Sequence, residues 1–191
     1  MASYRGVRTR AGADLRSAGG RREGAMAIST AEHTPPPSNP LDILEELVSA
    51  NEWRFDRSCD EEMVVEIAGQ WCDFRLFFVW QEDLSAIYFS CLFDQRVPPH
   101  RRGAVTELLA LVNEKLWLGH FDLCSEELVP MFRHTVLLRG AGVSVEQLED
   151  LVEIAVRECG RFFPAFQFVV WGGRTAREAV AAAMLDTVGE A

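Results

Sequence analysis

Residues 63–93 read MVVEIAGQWCDFRLFFVWQEDLSAIYFSCLF, and the alternation within them decides the fold. Met63, Val65 and Ile67 alternate with Val64 and Glu66. Cys72, Phe74, Leu76, Phe78 and Trp80 form a wholly apolar set, and Trp71, Asp73, Arg75, Phe77 and Val79 a mixed one. Ile87, Phe89, Cys91 and Phe93 again share a side. Successive side chains of a strand point to opposite faces, so this period of two predicts strands with one buried face. Gly69-Gln70 and Gln81-Glu82-Asp83 supply short polar turns, which makes the strands an antiparallel meander. Trp53 and Phe55, alternating with Arg54 and Asp56, add a strand in front, with Asp60-Glu61-Glu62 as its hairpin turn.

Outside this block the period changes. Asn39-Pro40 pairs a capping residue with proline at the first helical position. Leu41, Leu44, Leu47 and Val48 then predict a helix to about Asn51. Pro98 and Pro99 stop the sheet, and Val105, Leu108, Leu109, Val112 and Leu116 predict a second helix ending at Gly119. A hairpin follows, with Phe121 and Leu123 on one arm, Glu126-Glu127 at the turn and Met131 to Leu138 on the other arm. Ser144 and Gln147 form an S-x-x-Q capping box, with Val143 and Leu148 placed as a hydrophobic staple. The third helix carries a stripe of Leu148, Leu151, Val152, Ala155 and Cys159. Pro164 should kink it at Gly160, and Trp171-Gly172-Gly173 should end it. A last helix over about Arg174 to Thr187 presents Ala176, Ala179, Val180, Ala183 and Met184.

The element order is α, β, β, β, β, α, β, β, α, α. It predicts an α+β fold: an antiparallel sheet in two runs, four strands then two, with flanking helices. Residues 39–173 make up the α+β domain, and residues 174–191 a C-terminal helix and tail. Residues 1–38 are a basic, proline-containing tail without apolar period, expected to be disordered.

Charge is unevenly distributed. The net charge is −10. Residues 1–25 carry six arginines against Asp14 and Glu23, or +4, which leaves about −14 on the rest. Such a body repels phosphate backbones, so nucleic acid is not expected as a partner; no membrane partner is expected either, because no segment is long and apolar enough to span one. Two readings of residues 1–25 stay open: a native arginine-rich tail, or an upstream extension with Met26 as the true start. Five cysteines (Cys59, Cys72, Cys91, Cys124, Cys159) are odd in number and lack ligand spacing, so reduced thiols in a cytoplasmic protein are expected. The longest apolar run, Phe162 to Gly173, is short of the roughly 20 residues a membrane span needs.

Candidates for chemistry are weak. His120 and His134 lie on opposite arms of the predicted hairpin, with Cys124 on the His120 side, and three such groups suit zinc. None of the spacings is a ligand signature. Nucleophilic catalysis, as in a hydrolase, would use Cys124 with either histidine, or Cys91. Cys72, Cys91 and Cys159 fall on apolar stripes and read as core. Gly140-Ala141-Gly142 reads as a strand-to-helix turn, and Glu146, Glu149, Asp150 and Glu153 as the solvated face of a helix. No catalytic, metal or cofactor residues are therefore assigned. The aromatics are more informative. Trp71, Phe77, Phe162, Phe163, Phe166 and Trp171 exceed what one core face should absorb, and they form the candidate binding surface. The opposing expectation is that the alanine-rich last helix covers them.

Three stretches carry a family resemblance: Leu111-Val112-Asn113-Glu114-Lys115-Leu116 through Gly119-His120-Phe121, Pro130-Met131-Phe132-Arg133-His134 through Leu137-Leu138-Arg139-Gly140, and Phe162-Phe163-Pro164-Ala165-Phe166. From about Asn39 to Trp171 the chain resembles the YbjN family of bacterial sensory transduction regulators. That resemblance implies a fold similar to type III secretion chaperones, small acidic proteins that dimerise and bind peptide segments. It implies a non-enzymatic regulator or chaperone-like module, a homodimer with a protein partner, and it transfers no active-site residues. The alternative is a small-molecule sensor with an aromatic-lined pocket.

Overall fold

The computed structural model describes residues 39–139 and 142–186. The predicted tail over 1–38, the glycine-rich turn at Gly140 and Ala141, and residues 187–191 lie outside the described residues.

Asn39 begins the first helix, α1 (Pro40–Ala50), by accepting the Leu41 N–H on its side-chain oxygen at 2.9 Å. Its amide nitrogen donates to the carbonyl of Asp60 at 2.6 Å, which ties the cap to the first hairpin turn. Strands β1 (Arg54–Cys59), β2 (Glu62–Ala68), β3 (Asp73–Gln81) and β4 (Ala86–Phe93) follow as an antiparallel meander. Helix α2 (Arg102–Asn113) then carries the chain to the hairpin β5 (His120–Leu123) and β6 (Pro130–Leu137), and helices α3 (Val145–Val170) and α4 (Ala176–Asp186) close the fold.

The two runs of strands join in one six-stranded sheet of order β1-β2-β3-β4-β6-β5. Strand β6 pairs with both β4 and β5, so the hairpin enters with its second arm inward. Cα partners place Met63, Phe78, Phe89 and His134 in one row, and Ile67, Phe74 and Phe93 in another. This is the face inferred from alternation. All four helices contribute to the core that covers it. Among the described residues, no helix contributes to the small cluster on the opposite face.

One local expectation changes. Helix α2 ends at Asn113, not at Gly119. The side chain of Asn113 accepts the Phe121 N–H at 2.7 Å and donates to the Phe121 carbonyl at 3.1 Å, so the residue serves the edge strand rather than more helix. Gly119 instead adopts φ +67 before β5, where a Cβ would lie 2.2 Å from the Phe132 ring. Helix α3 runs unbroken through Pro164. Its predicted capping box is present, Ser144 accepting from Gln147 N at 3.2 Å and Gln147 from Ser144 N at 3.0 Å.

Phe121 sits where hairpin, meander and helix meet, with ring centroids 5.6 Å from Phe132 and 6.0 Å from Phe162. Phe121→Ala should lower unfolding free energy by about 3–5 kcal/mol, the range for emptying a buried aromatic site. Urea denaturation monitored by circular dichroism measures it, and a loss under about 1 kcal/mol would contradict this packing.

Candidate functional site

The six candidate surface residues divide into two groups. Phe162, Phe163 and Phe166 are buried, a correction to their place on the expected surface. Phe166 lies 5.1 Å from Phe93 and 5.6 Å from Phe121 between ring centroids, and Phe163 lies 5.7 Å from Phe93. The rings therefore pack on one another and on the sheet. Ala176, Ala179 and Ala183 of α4 are buried in the same core, and their small side chains allow that helix close approach.

The other three remain at the surface. Phe77 is half-buried on the helix-free face, against Leu92, Val129 and Met131, with Cys124 beside them. Trp71 is 51% exposed and Trp171 66% exposed. Trp71 also has a structural partner. Pro164 has no N–H for the carbonyl four residues earlier, which is that of Gly160. The Trp71 indole Nε1 donates to that carbonyl at 3.1 Å. The turn between β2 and β3 thereby satisfies the group that proline leaves free in α3.

The histidines do not converge. His120 pairs with Arg133, one residue out of register with His134, which pairs with Phe89 on the helix-covered face. Among the described residues no three His, Cys, Asp or Glu side chains are grouped to hold a metal ion. Arg133 is bound by Asp122 at 2.5 Å and lies over the Tyr88 ring. Burial, and secondarily the charge of His120, hold the pKa of His134 below the ordinary value.

Cys59 is exposed, and Cys72 and Cys124 are half-buried. Cys91 and Cys159 are fully buried, and burial together with contact between them pushes the Cys159 thiol well up. Burial likewise raises that of Cys72. A nucleophilic cysteine needs the opposite setting. Glu146, Glu149, Asp150 and Glu153 are all exposed on α3. The carboxyl of Glu146 is held low by hydrogen bonds from its own backbone and from Ser144 at the helix start.

A family model, YbjN, described as "Putative bacterial sensory transduction regulator", matches residues 40–168. Among solved structures, the chain is similar to one described as "Crystal structure of YbjN, a putative transcription regulator from E. coli". The TM-score is 0.46 and the identity 15%, covering 63% of this chain and 85% of that one. No curated protein matches.

Trp71→Phe removes the donor to Gly160 and should destabilise by about 1 kcal/mol. In a Pro164→Ala background the residue 164 N–H serves that carbonyl, and the same substitution should cost less. Equal losses in both backgrounds, measured by urea denaturation, would show that the indole bond does not compensate the proline. The depressed pKa of His134 predicts a second effect. An unfolded histidine gains its proton as pH falls below about 6.5, whereas the folded one resists until a lower pH. This contribution to stability is complete above that pH and is lost as pH falls through the folded pKa. His134→Gln should reduce the slope of unfolding free energy against pH in this window.

Proposed function

We propose, because this chain belongs to the YbjN family, that it is a non-catalytic regulator acting as a homodimer that binds a segment of another protein. The observation that carries this reading is the helix-free face of the sheet. Val64, Phe77, Val79 and Tyr88 lie half-buried across it, and Leu137, paired with Ala86 on the same face, is 68% exposed. An apolar strip of this kind favours a covering partner.

Both edges of the sheet are less suited to that role. On β1, Arg54 and Asp56 and a register shift between Arg57 and Cys59 are features that discourage strand addition. On β5, Asn113 occupies the backbone N–H and C=O of Phe121. These features support binding across the face rather than at an edge. The non-catalytic reading is supported by the description of the family as a regulator.

Affinity capture from native lysate with the full chain, followed by mass spectrometry, tests the reading. One protein should be enriched over an unrelated acidic control, and Leu137→Glu should release it without loss of fold. Light scattering should give the mass of two chains. No enriched protein together with a single-chain mass would sink the proposal.

A further inference from the structure

A second surface stands apart from the sheet. The segment 95–106 reads QRVPPHRRGAVT, and 171–177 reads WGGRTAR. Together they contain Arg96, Arg101, Arg102, Arg174, Arg177 and His100, and no acidic residue. The fold brings the start of α2 to the turn between α3 and α4. Arg101 reaches the turn between α3 and α4, where a Cβ on Gly173 would meet its Nη2 at 3.4 Å. Arg174 follows directly, its guanidinium 4.5 Å from the centre of the Phe168 ring.

Among the described residues, several arginines outside this patch are matched by carboxylates, whereas Arg54, Arg139 and Lys115 are in no ion pair. Arg57 is bound by Asp42 and Glu45, Arg75 by Glu66, Arg133 by Asp122, and Arg157 and Arg161 by Glu158. Among the described residues, none of the arginines of these two segments is in an ion pair. The nearby carboxylate of Glu178 is taken by the N–H and hydroxyl of Thr175, and Arg174 helps hold it ionised.

The local backbone adds to the field. Arg101 and Arg102 stand at the N-terminal end of α2, where the helix dipole disfavours cations. That end has no side-chain cap and no acidic residue in its first turn. The Nε of Arg101 is shielded from solvent without a hydrogen-bond partner. Gly103, inside the first turn, has nothing within 4 Å of a Cβ position, so packing does not require glycine there. Trp171, two residues before Gly173, supplies an exposed aromatic surface beside the charges.

We infer that this surface receives a short acidic segment of a partner protein, with an apolar residue of that segment resting on Trp171. The inference deepens the protein-binding reading above and rests on it. Carboxylates match unpaired guanidinium groups and the start of α2. The acidic remainder of the domain opposes a long polyanion such as nucleic acid, whereas a short segment stays within the patch. The chain's own arginine-rich residues 1–25 have the wrong sign to occupy it.

The probe is a short fluorescein-labelled peptide of Glu and Asp with one central Leu, titrated with the full chain by fluorescence anisotropy. Binding is expected at low salt and should weaken steeply when salt brings the Debye length down to about 3 Å. Arg102→Glu with Arg177→Glu, both exposed positions, should weaken it at least about ten-fold. Leu137→Glu should leave it unchanged. Circular dichroism and the unfolding midpoint report whether the double variant is folded, and Arg102→Gln with Arg177→Gln, which removes charge without adding repulsion, should give an intermediate loss.

Absence of binding, or equal binding by the folded double variant, overturns the inference. So does equal competition by a single-stranded oligonucleotide, which would make the patch a general polyanion site. Conversion of a dimer to a monomer by the double variant, without an effect on the peptide, would assign the surface to a second copy. Capture from lysate separates this inference from the function proposed above. Loss of the captured protein with Leu137→Glu but not with the arginine variants retains the sheet-face reading alone.

Discussion

The ring of Phe121 is the point on which the packing depends. It contacts Phe93 from the first run of strands, Phe132 from its own hairpin, and Phe162 and Phe166 from α3. Most of these pairs meet edge to face, the arrangement that aromatic quadrupoles favour. Such contacts fix mutual angle as well as distance. The hairpin therefore enters the sheet in one position, and α3 crosses the sheet in one place. Gly119 sits directly before this strand because its positive φ and the close Phe132 ring leave no room for a side chain.

Covering one face of a six-stranded sheet explains the helices. The aromatic end of α3 fills the space over Phe93 and Phe121, and α4 can follow because its buried positions are Ala176, Ala179, Val180 and Ala183. Proline in α3 leaves the Gly160 carbonyl without its helical partner, and Trp71 provides one from a sheet turn. Arg57 connects β1 to Asp42 and Glu45 of α1 at 2.8 and 2.7 Å. With these links on one side, the other side of the sheet carries a small buried cluster of Leu92, Val129 and Met131 among the described residues.

The same economy shapes the charges. Within the described fold several arginines are matched to carboxylates, whereas Arg101, Arg102 and Arg174, near the meeting of α2 with the α3–α4 turn, are not. The sheet face and this patch differ in chemistry, one apolar and one cationic.

The amino-acid sequence by itself determined the element order, the buried face of the meander, the α3 capping box and the Asn39 cap. These follow from local periods and from hydrogen bonds spanning a few residues, which each segment carries alone. The family resemblance was likewise legible in three short stretches. The burial of Phe162, Phe163 and Phe166 was decided only by the tertiary structure, because it depends on how closely the alanines of α4 approach. The offset of His120 from His134 depended on a hairpin register that no single arm specifies. The indole bond from Trp71 to Gly160 spans 89 residues, and the arginine patch joins segments some 70 residues apart. Contacts at such separation have no sequence period to announce them; they exist because the core brings distant turns together.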